Sequence, residues 1–319
     1  MRGTSKCYEY NEPWNRRSTA SLAVPPLDPG GSTKYYEGNN PRDSKIDLKA
    51  PAATANVLLF EVLDFRGFLN LDLWKFAVLE CVASMMNTFL TSWVALHPPS
   101  ALASPQTELG IYHTSTFFSP LFTGLTMTFL VPLLIYTLAP SSGGHINPTL
   151  TMATFFARMI TFPQMVLYIV GQTFGGALGG FAINTAYGSR DFTVGGCSVN
   201  TSVVSVKDAL AIEFMGCLIL IYVAFGVALD PRQGRLFSHA ASPWFIGIIL
   251  GLVTWASAFT REGYSGASLN PARCFGSYVA STFPSYHWIH WFGPFAAALV
   301  HAVIYYLSPA WVDPRTQSS

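Results

Sequence analysis

Two asparagine–proline pairs are the residues of this chain best placed to act on a solute. Residues 143–149 read GGHINPT and residues 266–274 read GASLNPARC. Asn147 and Asn270 suit a helix N-cap. The side-chain oxygen takes the first orphan N–H groups, and the amide NH₂ stays free to donate to a passing solute. Pro148 and Pro271 then fall at the first helical position, where a missing N–H costs nothing. Thr149 and Ala272 complete the two triplets. Each motif follows a small-residue loop and opens an apolar stretch, about 148–158 and 271–281, that is too short to cross a bilayer. Paired half-helices at matching places of two halves mark a transport site near the bilayer midplane. Their positive ends, each worth roughly +0.5 charge, face one another and oppose cations and protons.

Other reactive side chains are few. Glu80 and Glu213 occupy equivalent places in two long apolar runs. A carboxylate in hydrocarbon is costly and is functional or paired. Both are expected to accept hydrogen bonds from the re-entrant loops, whose N–H groups have no helical partners. Arg273 lies one turn past Asn270, and its pseudo-symmetric counterpart Leu150 is apolar. His287 and His290 are three apart with no third ligand, so they are expected to cap the last span rather than hold a metal. The five cysteines show no CxxC pair and no metal spacing, which argues against a disulfide or zinc framework. Cys274 is expected to pack against a neighbouring span. No nucleophile–base constellation exists, so neither an enzyme nor a cofactor is expected.

The elements that position these residues follow from composition. Half of the residues are hydrophobic and only 11% are charged, against about 25% charged in an ordinary soluble domain. Six runs are long enough or nearly so to span a bilayer: 73–96, 120–138, 162–183, 209–229, 243–260 and 288–307. Residues 1–70 form a tail rich in Pro, Gly, Ser and charge, expected to be largely disordered. Within it Val57–Phe68 is apolar, either a short interfacial helix or an ordered lead-in. Residues 71–310 form one membrane domain, with halves at about 73–190 and 207–307, and 311–319 is a second tail. Met1 is not followed by an apolar h-region, so no cleavable signal peptide is expected. The net charge of +1 gives no sign of a nucleic-acid partner. The basic tail, Arg158, Arg232, Arg235 and Arg315 fall on one side of the membrane. The loop 95–119 has no Lys or Arg. Both termini are therefore expected to be cytoplasmic, and Asn200-Thr201-Ser202 is a glycosylation sequon in an outer loop. Three spans per half is an odd number, so the second half inserts inverted and the two half-helix N-termini meet.

The motifs GGHINP and SLNPAR, the paired Glu80 and Glu213, and HWIHWFGP at 287–294 resemble the major intrinsic proteins, the aquaporins and aquaglyceroporins. The match covers about residues 73–307. NPARC looks like the X intrinsic protein subgroup, and Thr149 departs from the family's usual alanine at a position pointing away from the constriction. The resemblance implies an all-α membrane protein of six spans and two re-entrant half-helices. Its function is a passive channel for water and small uncharged solutes: glycerol, urea, hydrogen peroxide or boric acid. It also implies a homotetramer surrounded by lipid, placed here in the plasma membrane. A proton- or ion-coupled transporter with inverted repeats is the alternative. The family's carbonyl ladder maps to Gly143, Gly144, His145, Gly266, Ala267 and Ser268. Its selectivity filter maps to Arg273 and, by spacing, to Met127, Ala258 and Ala267, with Thr126 or Thr128 one residue either side of Met127. Ala258 stands where water-selective members carry histidine, which implies a wider filter. Asn87 and Leu220, each seven residues after its glutamate, map to the pore wall. For Asn87 a bond to a neighbouring helix is the other reading.

Overall fold

Backbone polar groups in hydrocarbon must be satisfied within the chain, so apolar runs of this length can only be helices. The computed structural model describes residues 59–97, 118–230, 240–258 and 261–308. The tail up to residue 58, most of the charge-poor loop 98–117, the segment bearing Arg232 and Arg235, and residues 309–319 with Arg315 lie outside the described residues.

The first half contains α1 (Leu59–Val62), a 3₁₀ turn (Phe65–Leu69), α2 (Leu71–Val94), α3 (Phe118–Leu138), the half-helix α4 (Pro148–Phe156) and α5 (Phe162–Tyr187). The second contains α6 (Val206–Ala224) with a π turn (Phe225–Leu229), α7 (Ser242–Ala258), the half-helix α8 (Pro271–Ala280) and α9 (Ile289–Leu307). From Leu59 to Phe68 the apolar run is thus a short helix and a 3₁₀ turn rather than one helix, and Val57 lies outside the described residues. Asp64 caps the 3₁₀ turn and Asn70 caps α2. Among the described residues five helices are long and apolar enough to cross a membrane, and α7 is a shorter apolar helix of 17 residues. Two-residue strands β1 (Leu96–His97) and β2 (Thr193–Val194) pair antiparallel, Leu96 opposite Val194.

Each half-helix packs on the other half: α8 lies along α5, and α4 lies against α9. Close approach is set by glycines on α5. Gly171, Gly175 and Gly179, four residues apart, face backbone carbonyls of α2. Gly176 and Gly180, on a different face of α5, meet those of Ala272 and Gly276 on α8. Small residues at such spacing let helix backbones touch where lipid gives no hydrophobic drive to associate. Pro132 removes a helical bond inside α3. The freed Thr128 carbonyl lies where α7 has Gly247, which leaves room for it. Outward faces are apolar, with Val78, Val82 and Met86 exposed on α2 and Val170, Phe174 and Phe181 exposed on α5.

Candidate functional site

The two half-helices begin at one place. Asn147 Oδ1 accepts from the Thr149 N–H at 2.9 Å, and Asn270 Oδ1 accepts from the N–H groups of Ala272 and Arg273 at 3.1 and 3.3 Å. Each amide also reaches across. Asn147 Nδ2 donates to the Leu269 carbonyl at 2.8 Å, and Asn270 Nδ2 donates to the Ile146 carbonyl at 3.1 Å. This corrects the expectation of wholly free amides, because one N–H of each is used in the junction. One N–H of each remains. Thr149 joins the same junction, its hydroxyl donating to the Leu269 carbonyl at 3.0 Å.

Backbone shape makes this possible. Ile146 and Leu269 sit at φ 54° and 58°, and Gly143, Gly144 and Gly266 are also left-handed. Bulky residues avoid that region, and such strain persists only where surroundings over-determine it. The surroundings are the two glutamates, both fully buried. Glu80 Oε1 accepts from Ser142 Oγ (2.6 Å) and the His145 N–H (3.0 Å), and Oε2 accepts from the Ile146 N–H (2.6 Å) and Gln172 Nε2 (2.9 Å). Glu213 takes the N–H of Ser268 at 2.8 Å and that of Leu269 at 3.5 Å. Its further partners differ: His290 Nδ1 lies 2.9 Å and Tyr264 Oη 3.3 Å from Oε1. His290 is therefore not a cap. Its other nitrogen faces the Cys197 carbonyl at 3.2 Å, so both ring nitrogens meet oxygen acceptors and the ring pairs with Glu213 in the core. Partners of this kind were not legible, because they lie 77 residues apart.

Asn87, Met127, His145, Asn147, Leu150, Ser268 and Asn270 line a small cavity at the junction, about 20 Å³, with Ile146, Val131, Ile135, Ile246 and Leu250 as apolar wall. That volume holds about one water-sized sphere. Asn87 Oδ1 is buried and finds no partner among the described residues, so the reading in which it bonds a neighbouring helix is not what is seen. Leu220 is fully buried in the apolar core and is absent from this lining. The carbonyls of Ile146 and Leu269 are taken by the junction, whereas those of Gly143, Gly144, His145, Gly266, Ala267 and Ser268 accept no hydrogen bond from described residues.

A wider vestibule of about 480 Å³ lies beyond α8, lined by Thr123, Gly195, Gly196, Thr254, Ala258 and Tyr264 among others. The structure does not bring Met127 to Ala258. Thr123, one helical turn earlier on α3, lies beside Ala258 in the vestibule. Spacing failed because it was counted through the irregular stretch 139–146, which has no fixed rise per residue. Ala267 is buried, its methyl facing Gly216 on α6, while its N–H donates to Ser257 Oγ at 2.8 Å. Arg273 is fully buried. Its Nη1 donates to the Gly195 carbonyl at 3.1 Å, and Nε and Nη2 find no acceptor among the described residues. A side chain on Gly196 would collide with this guanidinium.

The loop that holds Arg273 is covalently fixed. Cys197 and Cys274 form a disulfide across 77 residues, which overturns both the expectation of no disulfide and the packing role for Cys274. Local spacing rules see only neighbouring thiols, whereas here the fold lays the 190s loop on α8. Cys197→Ala is expected to lower stability by about 2–4 kcal/mol, read as a lower melting midpoint in detergent. An unchanged midpoint would show that the bond carries no load. Asn200 is exposed, as a glycosylation acceptor requires.

Comparison with known proteins agrees with this geometry. The family model described as major intrinsic protein matches residues 68–305. "Aquaporin PIP2-1" of Arabidopsis thaliana is 34% identical over 54% of this chain and 61% of its own length. The chain thus spans less than two thirds of that relative. "Aquaporin AqpM" of Methanothermobacter marburgensis is 30% identical over 71% of this chain and 95% of its own. The X-ray structure of the aquaglyceroporin from Plasmodium falciparum superposes with a TM-score of 0.53 at 20% identity, covering 76% of this chain and all of that one. That likeness concerns the fold. With the model matching most of its length, this chain belongs to the major intrinsic protein family.

Proposed function

We propose that the protein is a passive channel for water and small uncharged solutes, glycerol, urea, hydrogen peroxide and boric acid among them, that excludes ions and protons. One observation carries the reading: two helix N-termini meet at cross-bonded asparagines inside a small cavity. Their positive ends oppose cations there, and the remaining amide N–H groups serve a neutral solute's oxygen. The unpaired loop carbonyls form the acceptor ladder that a dehydrated solute needs. Met127, unbranched and flexible, lets the throat admit molecules larger than water. A swelling assay in proteoliposomes over a solute panel tests this. Flux should be non-saturating and indifferent to a proton gradient. Uptake that collapses with the gradient would establish the coupled transporter instead.

The filter in this reading comprises Arg273, Ala258, Ala267 and, in place of Met127, Thr123. The small side chains of Ala258 and Thr123, both on the vestibule wall, leave room beside the guanidinium. Ala258→His is expected to cut glycerol permeability about tenfold or more and water permeability far less, because only the larger solute needs the lost width. Thr123→Phe should act in the same direction. Equal loss of both solutes in either variant would remove that residue from the constriction. Arg273→Ala should widen the mouth and weaken the discrimination against cations. NPARC supports placement in the X intrinsic protein subgroup. The apolar outward faces suit a homotetramer in lipid. The arginine pattern supports cytoplasmic termini, and a plasma-membrane location goes with them.

A further inference from the structure

Arg158 is a charged residue where the backbone favours glycine. α4 ends in a closed turn: the Arg158 N–H donates to the Phe155 carbonyl at 2.8 Å, and the Met159 N–H donates to the Thr154 carbonyl at 2.9 Å. The residue at the bend of such a turn is left-handed and is usually glycine. Here it is Arg158, at φ 55°, a conformation that a residue with a Cβ adopts only at a cost. The pore makes no use of it, since Arg158 lines neither the junction cavity nor the vestibule. Its charge suits the carbonyl end of α4, but that alone does not account for how the side chain is held.

Arg158 Nε donates to Tyr306 Oη at 3.0 Å, and that hydroxyl donates to the Phe156 carbonyl at 3.1 Å. Nη1 and Nη2 have no acceptor among the described residues. The guanidinium is thus fixed through one nitrogen and keeps its two terminal nitrogens unpaired. It lines a groove of about 430 Å³ with Val62, Leu63, Phe155, Phe156 and Tyr306, and is the one charge in that lining. Asp64, on the turn after α1, is paired with Arg66. The groove lies where the spans end. Tyr306 is next to last in α9, and Phe155 meets Phe162, the first residue of α5, edge to face. Tyrosines at span ends sit at the level of the lipid headgroups. Phe60, Leu63, Phe65 and Leu69 are exposed on the segment that supplies Val62, an apolar surface that suits lipid rather than water.

We propose that this groove binds one anionic phospholipid, with its phosphate on Nη1 and Nη2 of Arg158 and an acyl chain along Val62, Leu63, Phe155 and Phe156. A guanidinium matches phosphate oxygens with two parallel N–H bonds. The apolar lining takes the chain, and the single cation at headgroup level selects a head of net negative charge. A zwitterionic head brings its own cation to the same place and binds less well. The lipid bears directly on the pore, because α4 is nine residues long, with Phe155 and Phe156 at one end and Asn147 capping the other. The site goes beyond the channel reading and does not depend on which solute passes.

The test titrates the full-length protein in mild detergent with phosphatidylglycerol or with phosphatidylcholine and counts the adducts by native mass spectrometry. One arginine at a membrane surface favours an anionic lipid by about fivefold. The wild type should therefore hold phosphatidylglycerol about fivefold more tightly than phosphatidylcholine. Glycine suits the left-handed turn, so Arg158→Gly should fold and should lose this preference. Leu63→Glu, which places a carboxylate in the groove from an exposed position, should lose it as well. Equal retention of the two lipids by the wild type overturns the proposal, and so does retention of neither. A preference undiminished in Arg158→Gly belongs to basic residues elsewhere in the chain and overturns it too. If Arg158→Gly does not yield folded protein, Leu63→Glu decides by the same criterion.

Discussion

Gly276→Val is expected to remove nearly all folded protein. Gly276 faces the Gly176 carbonyl across the α8–α5 contact, and its nearest side-chain neighbour is the Thr88 methyl at 2.9 Å from where a Cβ would stand. A Cβ would overlap the carbonyl oxygen, and backbone on both sides cannot move aside as a side-chain tip can. Overpacking of this kind costs about 3 kcal/mol or more. The whole half-helix would shift, carrying Asn270 and Arg273 with it. The measurement is the monodisperse fraction after detergent extraction, alongside Gly226→Ala, where no atom lies within 4 Å of the added methyl. The control should extract like the wild type. A Gly276→Val protein that does the same would mean that α8 does not need this contact.

Glu80→Gln and Glu213→Gln come next in size, although each changes a single atom. All four groups around the Glu80 carboxylate donate to it. A glutamine replaces one acceptor oxygen by an NH₂, which then points its hydrogens at other donors. At Glu213 the substitution also takes a carboxylate oxygen from His290, fully buried, whose Nδ1 lies 2.9 Å away. Losing a buried hydrogen bond to a charged group costs about 1.5–3 kcal/mol. Both variants should therefore lose folded yield and melting temperature. Wild-type behaviour in both would show that these carboxylates do not hold the re-entrant loops.

Much of this was legible in the residues because the bilayer simplifies the problem. Length and apolarity located α2, α3, α5, α6, α7 and α9 to within a few residues. Asn-Pro marked the first residue of both half-helices, because proline tolerates only that end. The contacts that cross the sequence were hidden. Nothing near Cys197 says that Cys274 is its partner, nor does anything near His290 name Glu213. The Gly171, Gly175 and Gly179 spacing is visible once sought, yet it names no partner helix. Thr123 was missed for a different reason. A position on a helix can be counted from a motif only along regular backbone, and 139–146 is not regular.

The crossed asparagine bonds also bear on how the chain is made. Asn270 and the Ile146 carbonyl it serves are 124 residues apart. At about 5–20 residues per second, a ribosome needs roughly 6–25 seconds to travel between them. Throughout that interval the left-handed Ile146 has no opposite half to hold its carbonyl, and α4 has no α9 to rest against. The first half therefore waits in the membrane as an unfinished piece. Its re-entrant loop already has the Glu80 bonds, which lie within the first half, and gains the Asn270 bond only when the second half arrives.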